Sequence, residues 1–193
     1  MRIVTSVLAF AILLAGCMPG TYYDPSDRYI MGMRFFDRHE PEKARYYWEP
    51  LAKSGDCDAQ YRMGLLYFFG EGVPQNCEIA YDWWLQAANQ GQAFAQGLLA
   101  VMYAHDAVPV GSFIRGVVVD CRKGCCLEKN PLEAYKWIKL AQRYSVYPDQ
   151  KRSLENFVDK YRSMLGADQA EKVDQELNGW KPTPTQCKPR KIL

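Results

Sequence analysis

The chain has 193 residues, 48% hydrophobic, 24% charged and 13% aromatic, with a formal net charge of +2. That length suits one domain, and a near-neutral balance without a basic stripe argues against a nucleic-acid partner. Seven cysteines are the one unusual count, and what they do depends on the compartment.

The first sixteen residues set that compartment. Arg2 precedes an apolar run from Val7 to Leu14, followed by the small residues Ala15 and Gly16. The run is too short for a membrane span, which needs about 20 apolar residues, and reads as a secretory signal. Its end, Leu14-Ala15-Gly16-Cys17, resembles the bacterial lipobox. The resemblance implies cleavage before Cys17, acylation of its thiol and amine, and a lipid-anchored chain facing outward from a membrane. Met rather than Asp at position 18 implies, for an enteric-type lipoprotein, sorting to the outer membrane. The segments expected are a signal over 1–16, an anchor linker over 17–27, a helical array over 28–180 and a Pro-rich tail over 181–193.

Six cysteines then remain, Cys57, Cys77, Cys121, Cys125, Cys126 and Cys187. An even number in an oxidising space makes three disulfides the default reading. A zinc site competes at "CRKGCC", residues 121–126, but Cys121 and Cys125 enclose three residues and the common C-x2-C spacing is absent. A thioredoxin-like C-x-x-C is also missing. No cofactor is implied.

The middle of the chain repeats. "ARYYWEPLAKSG" from Ala44 and "AYDWWLQAANQG" from Ala80 are offset by 36, as are Tyr67 and Tyr103, and "AYKWIKLAQRYS" begins a third copy at Ala134. Around the loop "GEGVPQN", apolar and small residues at helical spacing predict helix, turn, helix. Pro41 suits a first helical turn, Asn130-Pro131-Leu132-Glu133 has the order of an N-cap, a first-turn proline and a capping-box Glu, and Gly166 suits a helix end.

Ala59, Gly64, Tyr67, Gly70, Gly72, Val73, Ala80, Trp83, Ala87, Ala88 and Gly91 resemble the Sel-1-like repeat, a relative of the tetratricopeptide repeat. Gly32 and Phe35 mark a clipped first copy. Ala100, Tyr103, Ala134, Trp137 and Ala141 mark a third, with Ser145 where Gly91 stands. The stretch "SLENFVDKYRSMLGADQAEKVDQELNGW" is similar to the helix pair that closes such arrays. The resemblance implies an all-α fold, a short α-solenoid of about three antiparallel hairpins and a cap. Small residues would let paired helices approach, with Tyr67, Tyr103, Trp83 and Trp137 filling the spaces between pairs.

Tyr67 to Ala80 is 13 positions but Tyr103 to Ala134 is 31, so the third copy carries 18 extra residues, an insertion over about 104–129. It holds "CRKGCC" and "VVVD", the latter suggesting a small hairpin. Such insertions map to one face and often bind the partner, though tolerated decoration is equally open. Cys57 and Cys77 flank a helix of about 12 residues, hence about 18 Å apart, and should not pair. Cys77 is expected to bond Cys121, Cys125 or Cys126, and Cys57 to bond Cys187.

No G-x-S-x-G, S-x-x-K or H-E-x-x-H is present, and Val117 stands where a phosphate loop needs Lys. His39 and His105 read as loop residues, with His105-Asp106 the least implausible enzymatic pair. Met33, Leu65 and Val101, with Phe36, Phe68 and Ala104 three residues on, form an apolar stripe. It is either core or a concave partner-binding face. The expectation is a periplasm-facing outer-membrane lipoprotein that binds another protein and performs no chemistry. Small repeat lipoproteins of this kind resemble immunity proteins against phospholipase effectors of the type VI secretion system. Envelope scaffolds are the alternative, and a periplasmic hydrolase the remote one.

Overall fold

The structure, a computed structural model, describes residues 25–104 and 127–183. These residues form eight α-helices: α1 (Pro25–Asp37), α2 (Pro41–Lys53), α3 (Cys57–Phe69), α4 (Cys77–Asn89), α5 (Ala93–Ala104), α6 (Pro131–Tyr144), α7 (Pro148–Leu165) and α8 (Ala167–Gly179). Successive pairs form antiparallel hairpins, and each second helix packs against the first helix of the next pair. The result is an all-α solenoid of four hairpins. Cys17, Cys121, Cys125, Cys126 and Cys187, the "VVVD" stretch and the insertion between 105 and 126 lie outside the described residues.

The boundaries follow from local chemistry. Asp56 accepts from Ala59 N at 2.9 Å, Asn76 from Ile79 N at 2.9 Å, and Asn130 from Leu132 N and Glu133 N at 3.1 Å. Each satisfies amides that the first helical turn leaves without an intrahelical partner. Gln92 does the same for α5, its Oε1 accepting from Ala95 N at 2.8 Å. Prolines open α2, α6 and α7, where the missing N–H costs nothing. Gly70, at φ +72, ends α3 in the left-handed region that favours glycine. The loop of residues 70–76 falls where the sequence places it, and Gly166 ends α7 as expected.

Inside each of the first two hairpins a tryptophan lies on a glycine. A Cβ on Gly32 would sit 2.2 Å from Trp48 Nε1, and one on Gly64 would sit 2.2 Å from Trp84 Nε1. Both indoles are fully buried. Trp48 Nε1 donates to the Tyr29 carbonyl at 3.1 Å and Trp84 Nε1 to the Tyr61 carbonyl at 3.2 Å, so the polar end of each ring is satisfied. In the third hairpin the matching positions hold Ala100 and Ile138, also buried.

Between hairpins, buried glutamines repeat. Gln60 Nε2 donates to the Ala52 carbonyl at 3.1 Å, and Gln96 Nε2 to the Ala88 carbonyl at 2.9 Å. Each ties a first helix to the end of the preceding second helix. Gln150 occupies the same place in α7, and Ala170 lies 36 residues after Ala134, so α7 and α8 are a diverged fourth copy of the same unit.

The aromatic assignment needs one correction. Tyr67 and Trp83 do pack against the cluster of the preceding hairpin and Trp137 is buried, but the fully enclosed indoles are Trp48 and Trp84. The latter fill their own hairpins, a role that depends on the facing glycine. Spacing along one helix cannot reveal it.

Candidate partner-binding surface

The predicted stripe runs along α1, α3 and α5, and most of it is core. Leu65 and Phe68 are 5% exposed and Val101 is 3% exposed. The Phe68 ring packs 5.1 Å from Trp84, and its counterpart Phe36 packs 5.6 Å from Trp48. The expectation that Leu65, Phe68 and Val101 are surface anchors is therefore corrected: their helices are enclosed on nearly every side. Met33 and Phe36 are half-buried on α1, where no earlier described hairpin covers them. His105 and Asp106 lie outside the described residues, and His39 is exposed in the α1–α2 turn at φ +60.

Exposed large apolar side chains are spread along the array, at Phe69, Ile79, Leu132, Val146 and Met164 as well as on the first hairpin, and those of the first hairpin stand among further aromatic rings. Ile30 on α1 is 46% exposed and Tyr46 on α2 is 66% exposed. Tyr46 meets Tyr47 edge-on at 5.3 Å, and Tyr47 stacks on Phe35 at 5.4 Å with an 11° interplanar angle. Lys43 Nζ lies 5.3 Å from the Phe35 ring centroid and the Arg28 guanidinium 6.0 Å from that of Tyr46. Aromatic rings rimmed by cations, held on a rigid hairpin, are the composition of a protein-binding hot spot. A signal for it exists in the sequence. Tyr46 stands where the other copies carry Asp82 and Lys136, a large aromatic at an otherwise charged outer position.

The remaining aromatic contacts hold the array together. Tyr61 stacks on Phe94 at 5.7 Å, and Phe94 lies 5.9 Å from Tyr147, a ladder through three hairpins. Arg62 sits over Trp48 and Tyr61 and donates to the Tyr29 hydroxyl at 3.2 Å. The Tyr81 and Tyr103 hydroxyls are 3.1 Å apart. Tyr135 donates to Asp174, which also pairs with Lys139 at 3.1 Å.

Charge shifts at these groups fit structure rather than catalysis. Burial pushes Tyr61 up, and burial followed by the bond to Tyr81 pushes Tyr103 up. Burial, with the Asp174 carboxylate, pushes Tyr135 up to about 12. These phenols move away from neutrality, so none is poised to exchange a proton near pH 7. Among the described residues no group of three or more His, Cys, Asp or Glu is placed to hold a metal.

Comparison with known proteins gives a consistent pattern. The chain matches the Sel1 repeat over residues 32–56, 57–92 and 122–141. It is similar to the Sel1 repeat protein from Oxalobacter formigenes, at 31% identity over 61% of this chain and 39% of that one, with a TM-score of 0.47. It is also similar to c5321, a protective antigen present in uropathogenic Escherichia coli strains and displaying an SLR fold. That match has 19% identity, covers 86% of this chain and 35% of that one, and has a TM-score of 0.48. The chain thus spans well under half the length of either.

Proposed function

Since the chain is a Sel-1-like repeat protein, we propose that it is a lipid-anchored binding protein whose first hairpin captures another protein. Sel1 repeats are generally protein–protein interaction modules. The observation that carries the reading is the cation-rimmed aromatic cluster of Phe35, Tyr46 and Tyr47, in which Tyr46 is 66% exposed.

The finer proposal is an immunity protein that blocks a phospholipase-type effector of the type VI secretion system in the periplasm. Cleavage before Cys17 leaves residues 17–24 between the acyl chains and α1, a tether of at most about 28 Å. The exposed face of α1 and α2 is then the part of the array nearest the lipid, which is where a phospholipase works. Among the described residues no helix is long and apolar enough to cross a membrane, and the lipid on Cys17 supplies the anchor in this reading. Disulfide stapling belongs to the same proposal; it follows from export of an even number of mature cysteines to an oxidising space.

The test is to express a lipase-like gene neighbouring this one in the periplasm, with and without this protein. Protection is expected, with Cys17→Ala leaving the protein unprocessed or soluble. Tyr46→Ala should weaken binding at least thirty-fold, about 2 kcal/mol, while leaving the fold intact. Protection unaffected by Tyr46→Ala rejects this surface, and absence of any toxic neighbour favours an envelope scaffold. Outer-membrane fractionation of the Cys17→Ala form with an unchanged mass shift rejects the anchor.

A further inference from the structure

The outer side of α1 is the end of a stack, and the later hairpins show what that side receives. Gly32 and Gly64 hold one register, each under its own indole. That register matches Arg28, Met31, Arg34 and Phe35 on α1 with Gln60, Met63, Leu66 and Tyr67 on α3, and with Gln96, Leu99, Met102 and Tyr103 on α5. On the second helices Tyr47 matches Trp83 and Trp137.

In the second and third hairpins these positions face the hairpin before them. Met63 and Leu66 are buried in the cluster shared with α1 and α2, and Tyr67 and Trp83 pack on it. Leu99 and Met102 are buried likewise. Gln60 Nε2 and Gln96 Nε2 reach across to carbonyls at the end of the preceding second helix, those of Ala52 and Ala88. The set is a seat for one helix, gripped at its C-terminal end by a side-chain donor.

The first hairpin carries the same seat, with no earlier hairpin among the described residues to fill it. Met31, Phe35 and Tyr47 are half-buried on it, and the two rings stack at 5.4 Å. Two of its neutral positions have become cationic: Arg28 stands for the glutamine and Arg34 for the buried Leu66. Arg34 is exposed, and its only side-chain contact among the described residues is Met31 Sδ at 4.0 Å. With Asp27 in the register of Ala59, cations outnumber anions there by two to one. A guanidinium suits the C-terminal carbonyls of a helix, the negative end of its dipole, better than a neutral amide does. The same two arginines repel a second copy of this face brought up by a two-fold axis.

We propose that the seat on α1 takes an α-helix of the captured protein, lying where the second helix of a preceding hairpin would lie. Its C-terminal end meets Arg28, its small apolar side chains meet Met31 and Phe35, and an acidic side chain meets Arg34. This rests on the reading that the first hairpin captures a protein, and names the element captured.

The probe is a synthetic peptide of residues 76–92 with Cys77→Ser, the second helix whose end Gln96 grips. A lactam between Asp82 and Gln86→Lys, exposed positions four residues apart, holds it helical, since so short a helix is marginal in water. It is titrated into the isotope-labelled chain beginning at residue 17, with Cys17→Ser. Saturable shifts are expected at the amides of Arg28, Met31, Arg34, Phe35 and Tyr47, with a Kd below about 1 mM. Arg28→Glu and Arg34→Glu should each weaken binding about tenfold or more, whereas Lys151→Glu, exposed on α7, should leave it unchanged. No saturation by about 1 mM, shifts confined to other helices, or equal effects of the three reversals overturn the proposal. So does binding that appears only after residues 17–24 are removed, or a concentration-dependent dimer that shifts the same amides without peptide, because the chain itself then fills the seat. Peptide binding without periplasmic protection removes the effector reading and leaves this one standing. Protection that Tyr46→Ala abolishes, without peptide binding, does the reverse.

Discussion

The first two hairpins and the last two meet the same demand with different side chains. In α1/α2 and α3/α4 the approach of the helices is set by a glycine lying under an indole, Gly32 with Trp48 and Gly64 with Trp84. In α5/α6 the pair is Ala100 with Ile138, one methyl more on the first helix and a smaller group on the second. In α7/α8 the first helix carries Leu154, buried, and the opposing position is Asp174, turned toward Tyr135 and Lys139. The lesson is that the repeat conserves a filled volume rather than a residue. Close packing tolerates exchange across an interface if total volume and shape are kept.

Four measurements break or sharpen this comparison. Trp84→Ala removes the largest buried group of the second hairpin and should cost about 4 kcal/mol in urea unfolding. A loss under about 1 kcal/mol would show that the indole is not the hairpin's core. Gly64→Ala drives a methyl into the indole and should cost about 2 kcal/mol. Trp84→Ile should then be cheaper in that background than alone, because the double variant copies the third hairpin. Coupling of at least about 1 kcal/mol is expected, and strict additivity would refute size complementarity. Gln96→Ala removes the side-chain donor to the Ala88 carbonyl, which keeps Gly91 N at 2.9 Å, and should cost about 1 kcal/mol, with Gln60→Ala behaving alike if the tie is a repeat feature.

The smallest effect is alkaline. Tyr135 is held at about 12, above the ordinary tyrosine value of about 10. The folded state keeps its proton where the unfolded state loses it, so this contribution is fully present below about pH 10 and is lost as pH rises toward 12. Absorbance at 295 nm should show late-ionising phenols, Tyr61 and Tyr103 among them, of which Tyr135→Phe removes one while the early-ionising amplitude is unchanged. Loss of the amplitude near pH 10 rather than near 12 would refute it.

Much of the fold is legible in the chain. The offset of 36 between Ala44 and Ala80, the loop 70–76, the caps at Asn76 and Asn130, and the stops at Gly70 and Gly166 are local. Each depends on hydrogen-bonding groups or backbone angles within one turn of itself. The fourth copy is harder to see, because only Gln150 and Ala170 retain the repeat's identity while the volume-filling residues have exchanged. The burial of the apolar stripe is hidden for a related reason. Met33, Phe36, Leu65, Phe68 and Val101 share one periodicity, yet Leu65, Phe68 and Val101 are core and only Met33 and Phe36 are half-buried.

The sequence by itself determined that this chain is helical, how long its hairpins are and where they begin and end, because helix periodicity and capping act between residues a few positions apart. Tertiary structure alone decided which aromatic faces its own glycine, which faces the neighbouring hairpin and which, like Tyr46, faces solvent. Periodicity gives a side chain a direction, but whether that direction is covered depends on the element packed there, and the tail at Thr183 reaches Asn89 only once four hairpins have stacked.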